Sequence, residues 1–249
     1  MKTLKLSFVL FLLAGIMGCT KNNSQPLSNS SDPADQAAIL VAGSVSASSN
    51  GTVNVADGLV IDAQAKVALD TLCGATWTDS ASTTSPVGAQ TTYSYKSVYV
   101  YTINCGTSNN FSGSATSTLT YSGSFNGPNL SSTNSGTSDF TVTGLGKGST
   151  SYTLNGEYKR SGSFQSKTDN TYYGTNDIDI VVTNLVLTKP GRKVQSGSAT
   201  VTVSANTAKK GNFNYTGTIV FNNDNTATLT INGNIYIIDN TTGIVNRRN

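Results

Sequence analysis

From Thr91 to Cys105 the side chains alternate. Tyr93, Tyr95, Tyr99, Tyr101, Ile103 and Cys105 share one parity; Thr92, Ser94, Lys96, Val98, Val100 and Thr102 share the other. A period of two predicts a strand with one aromatic and one mixed face. The same alternation predicts strands at about 112–125, 137–145, 150–163, 176–188, 196–206, 213–222, 226–232 and 234–239. The C-terminal stretch is the clearest. Phe213 to Phe221 is followed by a turn at Asn222-Asn223-Asp224-Asn225, then Ala227 to Ile231, Asn232-Gly233, and Ile235 to Ile238. Asn-Gly between alternating apolar runs signals a tight hairpin. Successive hairpins build an antiparallel meander, and long strands in one meander curl or pack face to face. The expected fold is mainly β: a single large curved antiparallel meander sheet, open-barrel or sandwich-like, with one or two N-terminal helices covering part of its concave or open side.

Ahead of the strands the period lengthens. Ser31-Asp32-Pro33 reads as a helix start, because Asp32 can cap and Pro33 suits the first turn. Ala34 to about Ala47 is predicted helical, ended by Ser48-Ser49-Asn50-Gly51, and a second helix is predicted from about Gly58 to Leu72. Val41, Val45, Val53 and Val55 admit short strands instead. Residues 32–74 thus form a helical portion, and 75–249 the β portion of the same domain. Tyr121-Ser122-Gly123-Ser124-Phe125 recurs as Arg160-Ser161-Gly162-Ser163-Phe164. The spacing of such echoes varies too much for a solenoid repeat.

The first twenty residues follow another logic. Lys2 and Lys5 precede an apolar run from Leu6 to Met17. About twenty residues are needed to span a bilayer, so this shorter run reads as a signal peptide, residues 1–18. It ends in Ile16-Met17-Gly18-Cys19, which resembles the lipobox of bacterial lipoproteins. That resemblance covers residues 1–20. It implies cleavage before Cys19, acylation of the Cys19 thiol, and a membrane partner reached through the lipid anchor. Two or three acyl chains hold a soluble domain firmly where one does not. Thr20, rather than aspartate, follows the cysteine; in lipoproteins of two-membrane bacteria this implies the outer membrane, with either leaflet open. The polar residues after Cys19, up to residue 31, read as a flexible tether.

Composition narrows the chemistry. Ser, Thr, Asn and Gly supply 118 of 249 residues, 12% are charged, Glu157 is the sole glutamate, and histidine is absent. Ser-His-Asp and Cys-His catalysis and histidine-held metal are therefore excluded. The formal net charge of +3 falls to +1 once Lys2 and Lys5 leave with the signal peptide. No basic face for nucleic acid is expected. Neither a metal nor another cofactor is expected.

With Cys19 acylated, Cys73 and Cys105 remain. In an exported protein such a pair reads as a disulfide, the alternative being two separate buried thiols. Its loop would contribute about 3–4 kcal/mol in the chain-entropy picture. The stripe Tyr93, Tyr95, Tyr99 and Tyr101 is the candidate ligand-binding feature, against a half-buried core face. Trp77 is expected to pack beside the disulfide. Asp177 and Asp179 share a strand face, with Glu157 the one glutamate able to join them; a solvated face is the plainer reading. Asn222 to Asn225 is expected to be a hairpin turn rather than a cation loop.

Three functional classes follow: a non-enzymatic structural or binding protein of the envelope, a carrier of lipid or another apolar ligand in the curved sheet, and a carboxylate-only hydrolase. The first is preferred, its protein or lipid partner being unidentified by the sequence.

Overall fold

The alternating segments pair in chain order. In the computed structural model, which describes residues 24–27, 30–68, 73–105 and 111–248, twelve antiparallel strands form one open sheet. The signal peptide and Cys19 lie outside the described residues. The strands are β1 (Ser24–Pro26), β2 (Thr76–Thr84), β3 (Thr92–Cys105), β4 (Phe111–Asn126), β5 (Leu130–Thr143), β6 (Ser151–Ser166), β7 (Tyr173–Thr188), β8 (Val194–Thr207), β9 (Gly211–Phe221), β10 (Thr226–Ile231), β11 (Asn234–Asp239) and β12 (Val245–Arg248). From β2 to β12 neighbours in sequence are neighbours in the sheet, and β1 adds itself beyond β12. The hairpin between β10 and β11 turns on Asn232 and Gly233, both at positive φ (49° and 77°), as a two-residue type I′ turn requires.

Inside the sheet lies helix α1 (Pro33–Val45), followed by a single 3-10 turn at Ala47–Ser49 and helix α2 (Thr52–Ala68). Asp32 caps α1 by accepting from the Ala34 amide at 2.9 Å. Every residue of α1 from Ala34 to Val45 is buried. A helix buried all round needs cover on all sides, and here the cover is the sheet. α1 touches β5 and each of β8 to β12. Laid flat, those strands would span about 34 Å, more than the roughly 20 Å length of a thirteen-residue helix. The sheet therefore curls round it. α2 buries the stripe Val55, Ala56, Leu59, Val60 and Ala63 and leaves Ile61 exposed.

Several expected boundaries move. α2 starts at Thr52 rather than Gly58, so Val53 and Val55 are helical, not extended. Thr52 Oγ1 donates to the Ser44 carbonyl at 3.1 Å, tying the start of α2 back to α1. The tether is shorter than expected: Ser24–Pro26 pair with Arg248–Asn246, and Leu27 is buried. Polar Ser-Gln-Pro suffices there because an edge position asks mainly for backbone partners. β2 and β12 are additions to the predicted strands; their Ser/Thr-rich and Asn/Arg-rich sequences carry no apolar alternation.

The curl has a compositional cause. Seven glycines within β4 to β9, Gly123, Gly136, Gly156, Gly162, Gly174, Gly197 and Gly217, occupy inward positions. Opposite them stand large side chains: Tyr95 faces Gly123, Tyr121 faces Gly136, Phe140 faces Gly156 and Phe164 faces Gly174. A ring can lie across a strand only where that strand has no side chain, and such glycines also let a sheet bend. A Cβ on Gly136 would collide with the Lys159 carbonyl oxygen and with the Tyr121 hydroxyl. Gly136→Ala is therefore expected to lower stability by about 1–3 kcal/mol in urea unfolding, whereas Ser135→Ala on the outer face should stay within about 0.5 kcal/mol.

Candidate functional site

The densest polar chemistry lies indoors, where the sheet meets the end of α1. Helix C-termini present carbonyls with no intrahelical partner. Arg160, on the inner face of β6 and 2% exposed, supplies donors to them. Its Nη1 donates to the Gly43 carbonyl at 2.5 Å, Nη2 to the Ser49 carbonyl at 2.5 Å, and Nε to the Tyr121 hydroxyl at 3.4 Å. The guanidinium carbon lies 5.4 Å from the Phe125 ring centre and 5.7 Å from that of Tyr158. A cation beside the negative end of a helix dipole, stacked on aromatic rings, is well placed.

Two tyrosines complete the arrangement. Tyr121 on β4 lies over Gly136 of β5 and reaches β6, where its ring stacks on Tyr158 at 5.7 Å and 16°. Its hydroxyl donates to Tyr158 Oη at 2.7 Å, and Tyr158 donates to the Asn50 carbonyl at 2.9 Å. Tyr95 on β3 crosses Gly123 in the same way and accepts from Asn134 Nδ2 at 3.1 Å. Burial opposes the Arg160 charge, but the oxygens of Tyr158, Tyr121 and Tyr95 outweigh it, so its pKa is raised and it stays protonated. Burial pushes the Tyr158 hydroxyl well above its ordinary value, so it remains a neutral donor. The other end of α1 is held likewise: Tyr236 donates to Asp35 Oδ1 at 2.6 Å, and Gln36 Nε2 donates to the Ser30 carbonyl at 2.7 Å.

The tyrosine stripe of β3 belongs to this interior. Tyr95 and Tyr101 are buried, and Tyr93 and Tyr99 half-buried. Tyr101 donates to Asp62 of α2 at 2.7 Å and stacks on Tyr99 at 5.8 Å. Most of the stripe is packed core facing the helices, while Tyr93 also borders a shallow groove. Cys73 and Cys105 are joined as a disulfide, with Cα atoms 5.0 Å apart. Trp77 pairs across the strands with Tyr101 and carries the Lys66 ammonium 5.8 Å from its ring centre. Asn222 to Asn225 form a hairpin turn, closed by the Asn222 amide donating to the Thr226 carbonyl at 2.9 Å.

On the outer face the carboxylates do gather. Asp139 on β5 stands opposite Glu157 on β6, and Lys159 opposite Asp179 on β7. Lys159 Nζ lies 2.8 Å from Glu157 and 3.8 Å from Asp179. Asp177 is separate, accepting from the Ser161 hydroxyl at 2.6 Å. Burial raises the Asp179 pKa, the charge of Glu157 raises it further, and Lys159 opposes both. These groups stand on an open sheet face at side-chain exposures of 38% for Glu157 and 40% for Asp179. Around them the outer face is a hydroxyl surface. Ser94, Ser124, Thr133 and Ser163 form one cross-strand row, beside a shallow groove of about 550 Å³. Among the described residues no group of three or more Cys, Asp and Glu could hold a metal ion. The Arg160 centre was not singled out by the sequence, although Tyr121 and Arg160 open the two copies of its clearest echo, and the register places Gly136 between them.

Comparison with protein-family models, with curated proteins and with solved structures finds no match.

Two outcomes follow. Arg160→Met leaves the Ser49 carbonyl buried without its donor and the Gly43 carbonyl with the Ser49 hydroxyl alone, so stability should fall by about 2–4 kcal/mol in urea unfolding; Lys159→Met, on the other side of the sheet, should change it far less. For Asp179, a folded pKa above the unfolded one means that the folded state favours its proton. Its contribution is present in acid and is lost as pH rises through the carboxylate range. Asp179→Asn should therefore gain stability relative to the unsubstituted chain as pH rises from about 4 to about 7, read from urea midpoints. An unchanging difference would contradict this.

Proposed function

We propose that this chain is a lipid-anchored protein of the outer membrane that acts without catalysis, as a structural or binding component of the cell envelope. The observation that carries the reading is Ile16-Met17-Gly18-Cys19 at the end of a twelve-residue apolar run behind Lys2 and Lys5. The fold is compatible with such an anchor: β1 begins five positions after Cys19, so an acylated cysteine would tie the β1 edge of the sheet to the bilayer at short reach.

A role on surfaces rather than in a cavity is supported by how the concave side is used. α1 occupies it, and the space left beside Gly43 and Ser49 is about 20 Å³, against several hundred Å³ for a typical ligand pocket. That counts against an acyl-chain carrier. A hydrolase reading rests on Glu157, Asp177 and Asp179, with Asp139 opposite Glu157; these stand on an open face, with Lys159 between Glu157 and Asp179.

The test is expression of the full chain and of Cys19→Ser in a two-membrane bacterium, with fractionation and mass analysis of the N-terminal peptide. The unsubstituted chain should begin at an acylated Cys19 and fractionate with the outer membrane, and Cys19→Ser should lose both properties. Cleavage at another position, or an unlipidated soluble product, would overturn the anchor.

A further inference from the structure

The two edges of the sheet are built differently. At one end β1 is three residues long, contains Pro26, and is followed in the sheet by Arg247 and Arg248 on β12. Short length, proline and positive charge are the usual protections of an edge against further pairing. At the other end β2 runs nine residues, Thr76-Trp-Thr-Asp-Ser-Ala-Ser-Thr-Thr84, in unbroken register with β3. It contains neither proline, lysine, arginine nor a bulge, and seven of its nine residues are exposed. Among the described residues no strand pairs its free side.

We propose that β2 is an interaction edge whose partner is β2 of a second copy of this chain, joined antiparallel about a two-fold axis through Ser80. Side-chain chemistry selects this register. Centred on Ser80, all nine residues pair: Thr76 with Thr84, Trp77 with Thr83, Thr78 with Ser82 and Asp79 with Ala81 of the other copy. Centring on Asp79 would set two carboxylates directly opposite each other, which is destabilising. Centring on Ala81 would leave Thr76 and Trp77 beyond the paired strand. In the Ser80 register the two Asp79 carboxylates become diagonal neighbours. Each already holds its own Lys66 ammonium at 3.2 Å, so the axis gathers two anions and two cations. Half-buried Trp77 stands at the edge, where a second strand would cover its open side. Pairing over about 30 Å of strand would make one sheet from two chains, in the isologous manner of two-fold dimers.

The proposal is independent of the anchor and is tested on the full chain in detergent. Directly opposed residues on antiparallel strands lie about 4.5–5.5 Å apart between Cα atoms, within disulfide reach. Ser80→Cys should therefore give a crosslinked dimer on a non-reducing gel, while the unsubstituted chain and Ser163→Cys on the open face should not. Native mass spectrometry of the unsubstituted chain should show twice the chain mass. Ser80→Lys, which sets two ammonium groups against each other, should return it to monomer with an unchanged circular dichroism spectrum. The emission of the sole tryptophan should shift to the blue with rising concentration in the unsubstituted chain only. A monomer at every concentration, or equal crosslinking through Ser80→Cys and Ser163→Cys, would overturn the pairing. So would capture of the Ser80→Cys chain by a different polypeptide without any self-crosslink.

Discussion

The fold turns on one buried cation. A twelve-stranded sheet with a polar outer face needs something apolar to close its concave side, and α1 fills that space. Placing a helix in an interior leaves its terminal carbonyls without water. Arg160 meets that need with a planar fork of donors, and the rings of Phe125 and Tyr158 stand within cation–π distance of its guanidinium. Lysine, a compact point charge, would not span the Gly43 and Ser49 carbonyls in the same way. The arginine in turn depends on the helix, because an unpartnered guanidinium at this depth would carry a desolvation penalty of several kcal/mol.

Glycine links the two. Gly123, Gly136, Gly156, Gly162 and Gly174 each lie opposite a ring or an amide from the strand before, so that tyrosines span one strand and bond to the next. Tyr121 reaches Tyr158 and Arg160 across Gly136, and Tyr95 reaches Asn134 across Gly123. The same absence of side chains lets the sheet bend toward the helix. Curvature, aromatic packing and helix capping are thus one arrangement. The outer face carries none of these demands, and it is left mainly to threonine and serine, with Val98, Val181 and Val220 exposed among them and charges grouped at Lys159; threonine, being β-branched, suits a strand surface.

Much of this was legible in the chain. The period-two runs placed nine strands to within a few residues except at the start of β5, whose seven leading residues Leu130 to Gly136 are too polar to read as a strand. Asn232-Gly233 located its hairpin, and Asp32-Pro33 the start of α1. What could not be read was set by tertiary demand. β1, β2 and β12 owe their strand state to a neighbour's free backbone groups rather than to their own pattern. α2 begins at Thr52 because its hydroxyl and the bonds about Gly51 fasten it to the end of α1. The tyrosine stripe was visible, but its burial under α2 depends on Asp62, thirty-nine residues away from Tyr101. In sequence Arg160 simply follows Lys159. Strand parity sends the two to opposite faces, one into the interior and the other to the carboxylates outside.

If α1 is the interior element around which the sheet closes, it cannot open while the sheet stays folded. Native-state hydrogen exchange measures this directly. The amides of Ala38 to Val45 should exchange only with global unfolding, with the same opening free energy and denaturant dependence as the inner amides of β6 and β7. Exchange of α1 through a lower-energy opening, with those strands still protected, would contradict the account: the sheet would then hold its curvature without the helix and without Arg160's partners.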